Sequence, residues 1–185
     1  MIATAPPGSL VRHAAYHSIG RALWHTYQSD QKPETLEQAI DALNKAVEES
    51  PEGGGERPAY LNDLGIALSE RPFVTGSAQG LADAIGAWVR ALGELNQSFA
   101  AVPVAYKLGQ QDFSAGLGIA ERAVSGYLWL AEIMATESGR QRALRNAMWT
   151  AESTKSRLVT DLIGRMGDVP GTVGARPGHG RPQPG

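Results

Sequence analysis

Leu61-Asn62-Asp63-Leu64-Gly65-Ile66-Ala67-Leu68 decides the reading of this chain, because its pattern has already occurred 45 residues earlier. Ile19-Gly20 returns as Leu64-Gly65, and Ala22-Leu23 returns as Ala67-Leu68. Leu36, Ala39 and Ile40 return as Leu81, Ala84 and Ile85, and Ala46 returns as Ala91, with no gap between the pairs. Two segments that share so long a spacing share a supersecondary unit, so the chain reads as a stack rather than one globular core. Stacked units build extended surfaces, which points to holding a partner more than to catalysis.

Working outward, each unit resolves into two helices. The first runs from about Ser9 to Gln28, with the Ser9 hydroxyl placed to accept from the free amides of the first turn. Leu36, Ile40, Leu43 and Val47 then follow the 3.6-residue period of an amphipathic helix, which Ser50-Pro51 and Gly53-Gly54-Gly55 end. Pro58 suits the start of the next helix, which carries Leu61, Leu64 and Leu68 and is predicted to stop before Arg71-Pro72. Ser77 caps the fourth helix, with Leu81, Ile85, Trp88 and Leu92 on its apolar face. Past Asn96 the repeat fades: Pro103 interrupts a weakly apolar segment, helical again from Val104 to Gln111. Two longer helices follow, about Ser114 to Thr136 and Arg140 to Met166. No alternation of β-branched residues around a turn suggests a strand.

The residues inside each unit resemble the tetratricopeptide motif. Tyr16, Ile19, Gly20 and Leu23, then Ala39, Leu43, Ala46 and Pro51, stand at its signature positions; so do Leu61, Leu64, Gly65, Leu68, Ala84, Trp88 and Ala91, with Asn96 where proline is usual. Gly20 and Gly65 allow close helix approach, the alanines offer small opposing surfaces, and large residues fill the groove. The ordinary repeat is about 34 residues, 11 shorter than the one here. Seven of the extra residues fall between Gly20 and Ala39 and four between Pro51 and Leu61, and both sets read as longer connections between helices.

A narrower resemblance follows from the stretched repeat at Arg57 to Leu68 and the segment Ala151 to Gly164 (AESTKSRLVTDLIG). The first looks like the repeats that precede CHAT domains, the caspase-like, tetratricopeptide-associated proteases; the second is similar to the helix leading into that domain. The resemblance implies that the protease would lie beyond Gly185. Its chemistry needs a His-Cys pair, and this chain has no cysteine. On this reading the chain is the recognition or regulatory half, and not itself an enzyme. The alternatives are a fragment of a CHAT-type cysteine protease whose catalytic domain is missing, and a self-associating structural protein.

Composition narrows the classes further. A net charge of −2 gives no global pull towards nucleic acid. From Asp30 to Arg71 there are ten acids against four bases, whereas from Gly139 to Met166 six bases face Glu152 and Asp161. Arg142 and Arg145 in that basic helix are spaced to touch phosphates. Leu144, Met148, Ala151, Leu158 and Leu162 describe a packing stripe there, however, so a solvated face or a docking surface for a following domain is the better reading. Absence of cysteine removes disulfides and thiolate chemistry and suits a reducing, cytoplasmic setting. No apolar run approaches the ~20 residues of a membrane span. His13, His17 and His25 share a helical face without the ligand count of a zinc site, and the glycine runs lack the Lys-Ser/Thr of a phosphate loop. No catalytic, metal or cofactor-binding residue is therefore expected. The four tryptophans, Trp24, Trp88, Trp129 and Trp149, read as core or groove-edge anchors.

The expectation is thus an all-α protein, a tetratricopeptide-like helical hairpin array, or α-solenoid. Residues 1–8 form a disordered N-terminus, 9–96 two helix pairs with long connections, 97–166 further helices capping the array, and 167–185 a disordered tail with six glycines and four prolines. First helices line the concave surface of such a stack. Tyr16, Tyr27, Asn62, Asp63 and Ser69 are accordingly the candidate groove residues for a protein or peptide ligand, with a CHAT domain or a second copy as further partners.

Overall fold

The computed structural model describes Pro6 and residues 9–101 and 110–167, with side chains described over 9–97 and 115–156. The expected disorder before Ser9 and after Gly167, the break at Pro103 and the helix from Val104 lie outside the described residues, apart from Gln110 and Gln111, which are helical. Among the described residues the chain is wholly helical: α1 (Leu10–Asp30), α2 (Pro33–Glu49), α3 (Arg57–Thr75), α4 (Gln79–Ala101), α5 (Gln110–Ile133) and α6 (Glu137–Gly167). The helices pack in chain order. The closest partners are α1 with α2, α3 with α4 and α5 with α6; α2 meets α3, α4 meets α5, and α1 touches α3.

The 45-residue offset is built into these contacts. A Cβ on Gly20 would stand 2.6 Å from Leu43 Cγ, and one on Gly65 would stand 2.7 Å from Trp88 Cδ1. Leu43 and Trp88 are themselves 45 residues apart, so the same close approach is made twice. Leu36 and Leu81, Ala39 and Ala84, and Ala46 and Ala91 are buried in equivalent pairs. The largest side chains in this core, such as Leu36, Ile40, Leu61 and Leu81, each contribute about 1.5–3 kcal/mol by leaving water.

The turns repeat as well. α1 ends at Gln31 and α3 at Gly76, both left-handed with φ of 52° and 68°, and their amides bond to Tyr27 O and Pro72 O. Arg12 Nη2 reaches Glu49 Oε1 at 2.9 Å, and Arg57 Nε reaches Glu94 Oε1 at 2.9 Å; both partners are displaced by 45. Each bridge ties the start of a first helix to its own second helix, at the last residue of α2 and in the C-terminal half of α4. Arg57 also donates to the carbonyls of Val47 and Ser50, at 2.7 and 2.6 Å, and so satisfies the free end of α2.

Several expectations need correction. The seven residues between Gly20 and Ala39 are not a longer connection: α1 and α2 are joined by Gln31 and Lys32 alone. The extra residues extend both arms of the hairpin by about one turn each, which leaves the facing stripes in register because a turn is about 3.6 residues. The four-residue excess does fall in a loop, between Glu49 and Arg57. Helix α3 continues through Pro72 to Thr75. Proline there costs one bond, that to the Leu68 carbonyl, within four residues of the helix end. Gly80 lets α4 pass that point, since a Cβ would lie 3.2 Å from Leu68 O.

Ser9 is the N-cap of α1 by position, but its hydroxyl makes no cap bond. Ser77 does act as expected, accepting from the Gln79 amide at 3.3 Å. Ile19 is 41% exposed where its equivalent Leu64 is 5% exposed, because among the described residues no helix packs on α1 as α2 packs on α3. Trp88 is buried and Trp24 and Trp129 pack against the core, whereas Trp149 is exposed and anchors nothing there.

Candidate binding face

Two clefts open on the side of the first helices. The first lies between α1 and α3 over Leu43, walled by Arg21, Trp24, His25, Asp63 and Ile66, with a volume of about 120 Å³. The second lies between α3 and α5 with Trp88 of α4 in its lining, and has a volume of about 580 Å³. Leu43 and Trp88 are repeat equivalents, so the clefts are successive versions of one feature. Their difference has a local cause. The position of Trp24 in the first wall is taken by Ser69 in the second, and an indole that fills the space is exchanged for a hydroxymethyl group.

The first cleft is braced by polar contacts. His17 Nε2 donates to Asp63 Oδ2 at 2.8 Å, and the Arg21 guanidinium stands 3.7 Å from the same oxygen. The His17 ring lies against Tyr60, with centroids 4.4 Å apart. Tyr60 donates to Glu56 Oε2 at 2.7 Å, so it accepts from His13 Nδ1 at 3.2 Å. Burial, followed by that bond to the Glu56 carboxylate, pushes the Tyr60 phenol far above its ordinary range, so it stays a donor. Of the histidines seen on one helical face in the sequence, His13 and His17 thus act as bolts between α1 and α3, while His25 meets Gln28 of its own helix. Among the described residues no cluster of three or more His, Cys, Asp or Glu could hold a metal ion.

The second cleft is open and mixed in chemistry. Glu70 comes from α3 and Glu121 and Arg122 from α5, beside Ser69, Ser125 and the backbone at Gly118 and Gly126. Phe73 is 72% exposed, yet its ring stacks on Trp129 with centroids 5.0 Å apart and planes at 25°. The pair joins α3 to α5 at the cleft and gives it a flat aromatic rim. The cleft thus combines an apolar floor and rim with charged and hydroxyl groups along its walls.

The five residues singled out in the sequence divide between these positions. Asp63 lines the first cleft and Ser69 the second, where the Ser69 hydroxyl donates to Ile66 O at 2.7 Å. Asn62 lines neither: its carbonyl accepts from Trp88 Nε1 at 3.3 Å and its amide donates to Asp63 Oδ1 at 3.2 Å. Tyr16 is half-buried on the α2 side, under Arg12 and Lys45 at 5.9 and 6.0 Å from its ring centre. Tyr27 is buried, and burial together with the Glu70 charge raises its pKa; it supports α1 from inside and offers no groove surface. Sequence reasoning missed Glu70, Phe73, Glu121 and Arg122. The signal that would have found the floor was the alignment of Leu43 with Trp88.

Among the described residues no helix is long and apolar enough to cross a membrane. Compared with protein-family models, with curated proteins and with solved structures, the chain matches none.

Proposed function

We propose that this chain is a protein–protein interaction module, a tetratricopeptide-like array of helix pairs that holds a peptide along the face shared by α1, α3 and α5. The observation that carries this reading is the repetition of one cleft at equivalent positions, floored by Leu43 and then by Trp88. A face that repeats its hollows presents an extended ligand with evenly spaced places for side chains. The second, larger cleft is the main seat, and the Phe73–Trp129 pair is its rim. Association with a CHAT-type protease, with this chain as the recognition part, rests on the residue resemblance at 57–68 and 151–164.

The test uses the repeat itself. Peptides of about twelve residues, long enough for one groove-bound segment, are selected from a random display library against the whole chain. They are then measured against Ser69→Trp, which fills the second cleft as Trp24 fills the first. The reading expects selected peptides whose binding falls at least about tenfold, a loss of ~1.4 kcal/mol, in that variant. Failure to select any peptide, or binding indifferent to Ser69→Trp, rejects it.

A further inference from the structure

Among the described residues the first and last helices, α1 and α6, each leave a face uncovered, and these correspond to the two faces that the fold packs together inside itself. On α1, Val11 and Ile19 are exposed, with Ala22 exposed and Ala15 half-buried beside them. One repeat later Tyr60, Leu64 and Ala67, the equivalents of Ala15, Ile19 and Ala22, are all buried. α3 differs from α1 in having the preceding pair packed against it, chiefly its second helix, α2, with α1 adding His13 and His17 against Tyr60. The α1 face is therefore shaped to receive a second helix that none of the described helices supplies.

The complementary face is on α6. Aligning its buried Ala143 and Ala147 with Ala84 and Trp88 of α4 puts Leu144, Met148 and Ala151 at the positions of Ile85, Val89 and Leu92. In α4 that stripe meets the next first helix: Ile85 seats against Gly126 of α5, where a Cβ would lie 2.8 Å from Ile85 Cγ1. On α6 the same stripe is exposed, with Met148 at 69%. Leu144 and Met148 on α6 thus stand where Ile85 and Val89 stand on α4, and Ala15, Ile19 and Ala22 on α1 stand where Tyr60, Leu64 and Ala67 stand on α3.

We infer that the occupant is a second copy of this chain: the Leu144–Met148–Ala151 face of one molecule docks on the Val11–Ile19–Ala22 face of the next, continuing the internal order of helices from molecule to molecule. The contact is heterologous. Each molecule keeps one free face of each kind, so association runs on beyond a dimer.

Light scattering on a concentration series of the whole chain reads this directly. The wild-type mass rises past that of a dimer, and Ile19→Asp and Met148→Asp each hold the molecule monomeric at concentrations at least about tenfold higher, because each would bury a charge. Mixed in equal amounts, these two variants form a dimer and stop, since one supplies an intact α6 face and the other an intact α1 face. Val11→Asp and Leu144→Asp, also at exposed positions, repeat the experiment should either first variant unfold. A wild-type chain monomeric throughout overturns the inference, whether a segment of the chain itself or nothing covers these faces. So does a mixture that stays monomeric while the wild type associates, and so does either variant dimerising on its own, which would mean that like faces pair. Peptide binding at the Trp88 cleft uses another face and stands or falls separately.

Discussion

The α1–α2 and α3–α4 hairpins carry the same register of buried residues and still behave as different objects. Both bury a glycine against a large side chain, both close with an Arg–Glu bridge, and both end their first helix in a left-handed cap. What separates them is context. Among the described residues the second hairpin has a neighbour on each side, and the first has one only, at α3. A repeated sequence therefore specifies a repeated shape, while burial at equivalent positions, and the energy that goes with it, depends on place in the order.

The sharpest way to break this comparison is at the bridges. Arg57 is 7% exposed and Arg12 is 23% exposed at their side chains. Arg57→Ala removes the bridge to Glu94 and the donors to the Val47 and Ser50 carbonyls at the end of α2, and is expected to cost about 3–5 kcal/mol in urea denaturation. Arg12→Ala is expected to cost about 1 kcal/mol or less. Equal losses would mean that neighbours do not set the energetics.

Next in size is the pair Leu64 and Ile19. Truncation of Leu64 to alanine should cost about 2–5 kcal/mol, as a buried leucine does. Ile19→Ala should change stability by no more than about 0.5 kcal/mol in dilute solution, like an ordinary surface substitution. A large loss at Ile19 in the dilute monomer would show that its face is covered from within the same molecule.

The glycines come third. Gly65→Ala pushes a methyl into the rigid Trp88 indole and is expected to destabilise by about 1–3 kcal/mol. Gly20→Ala meets Leu43 Cγ at 2.6 Å and its backbone nitrogen at 3.1 Å; the side chain is aliphatic and smaller than an indole, and part of the strain is offset by the ~1 kcal/mol that alanine gains over glycine in a helix. Thermal melts of the two variants should differ, and matching melts would put the indole elsewhere.

The smallest effect concerns the junction between the hairpins, where Arg71 Nε donates to Glu37 Oε1 at 2.8 Å. The bond to Arg71 and its charge hold the Glu37 carboxyl below its ordinary value of 4.5, against the opposing pull of burial. The unfolded chain thus binds this proton more readily. The stabilisation is complete above pH 4.5 and is lost as pH falls through the lower folded value. Glu37→Gln should flatten that acid limb by no more than about 1 kcal/mol, because the pair is half exposed. An unchanged limb would remove Glu37 from the junction's electrostatics.

How legible this was in the sequence can be followed residue by residue. Gly20 with Gly65, and Ala39, Ala46, Ala84 and Ala91, were readable because helix periodicity and small-residue spacing are local signals. The Arg12–Glu49 and Arg57–Glu94 bridges obey the same offset and went unread, since charges usually face water and only the fold shows two of them half withdrawn from it. Of the candidate groove, Asp63 and Ser69 fell on the clefts while Tyr27 turned inwards. Residues on one helix differ by about 100° per step, and no local rule says which arc a distant helix will cover.

The sequence by itself determined the helices, the offset of 45 residues and which small residues meet which large ones, because these follow from the chain's own periodicity. Tertiary structure decided that the seven extra residues lengthen helices rather than a loop, and that Ile19 is exposed where Leu64 is buried. It also decided that the hollow over Trp88 is open while the one over Leu43 is nearly filled. The physical reason is the same in each case. Exposure and free volume belong to the space between helices, and that space is set by what stands opposite rather than by the residue itself.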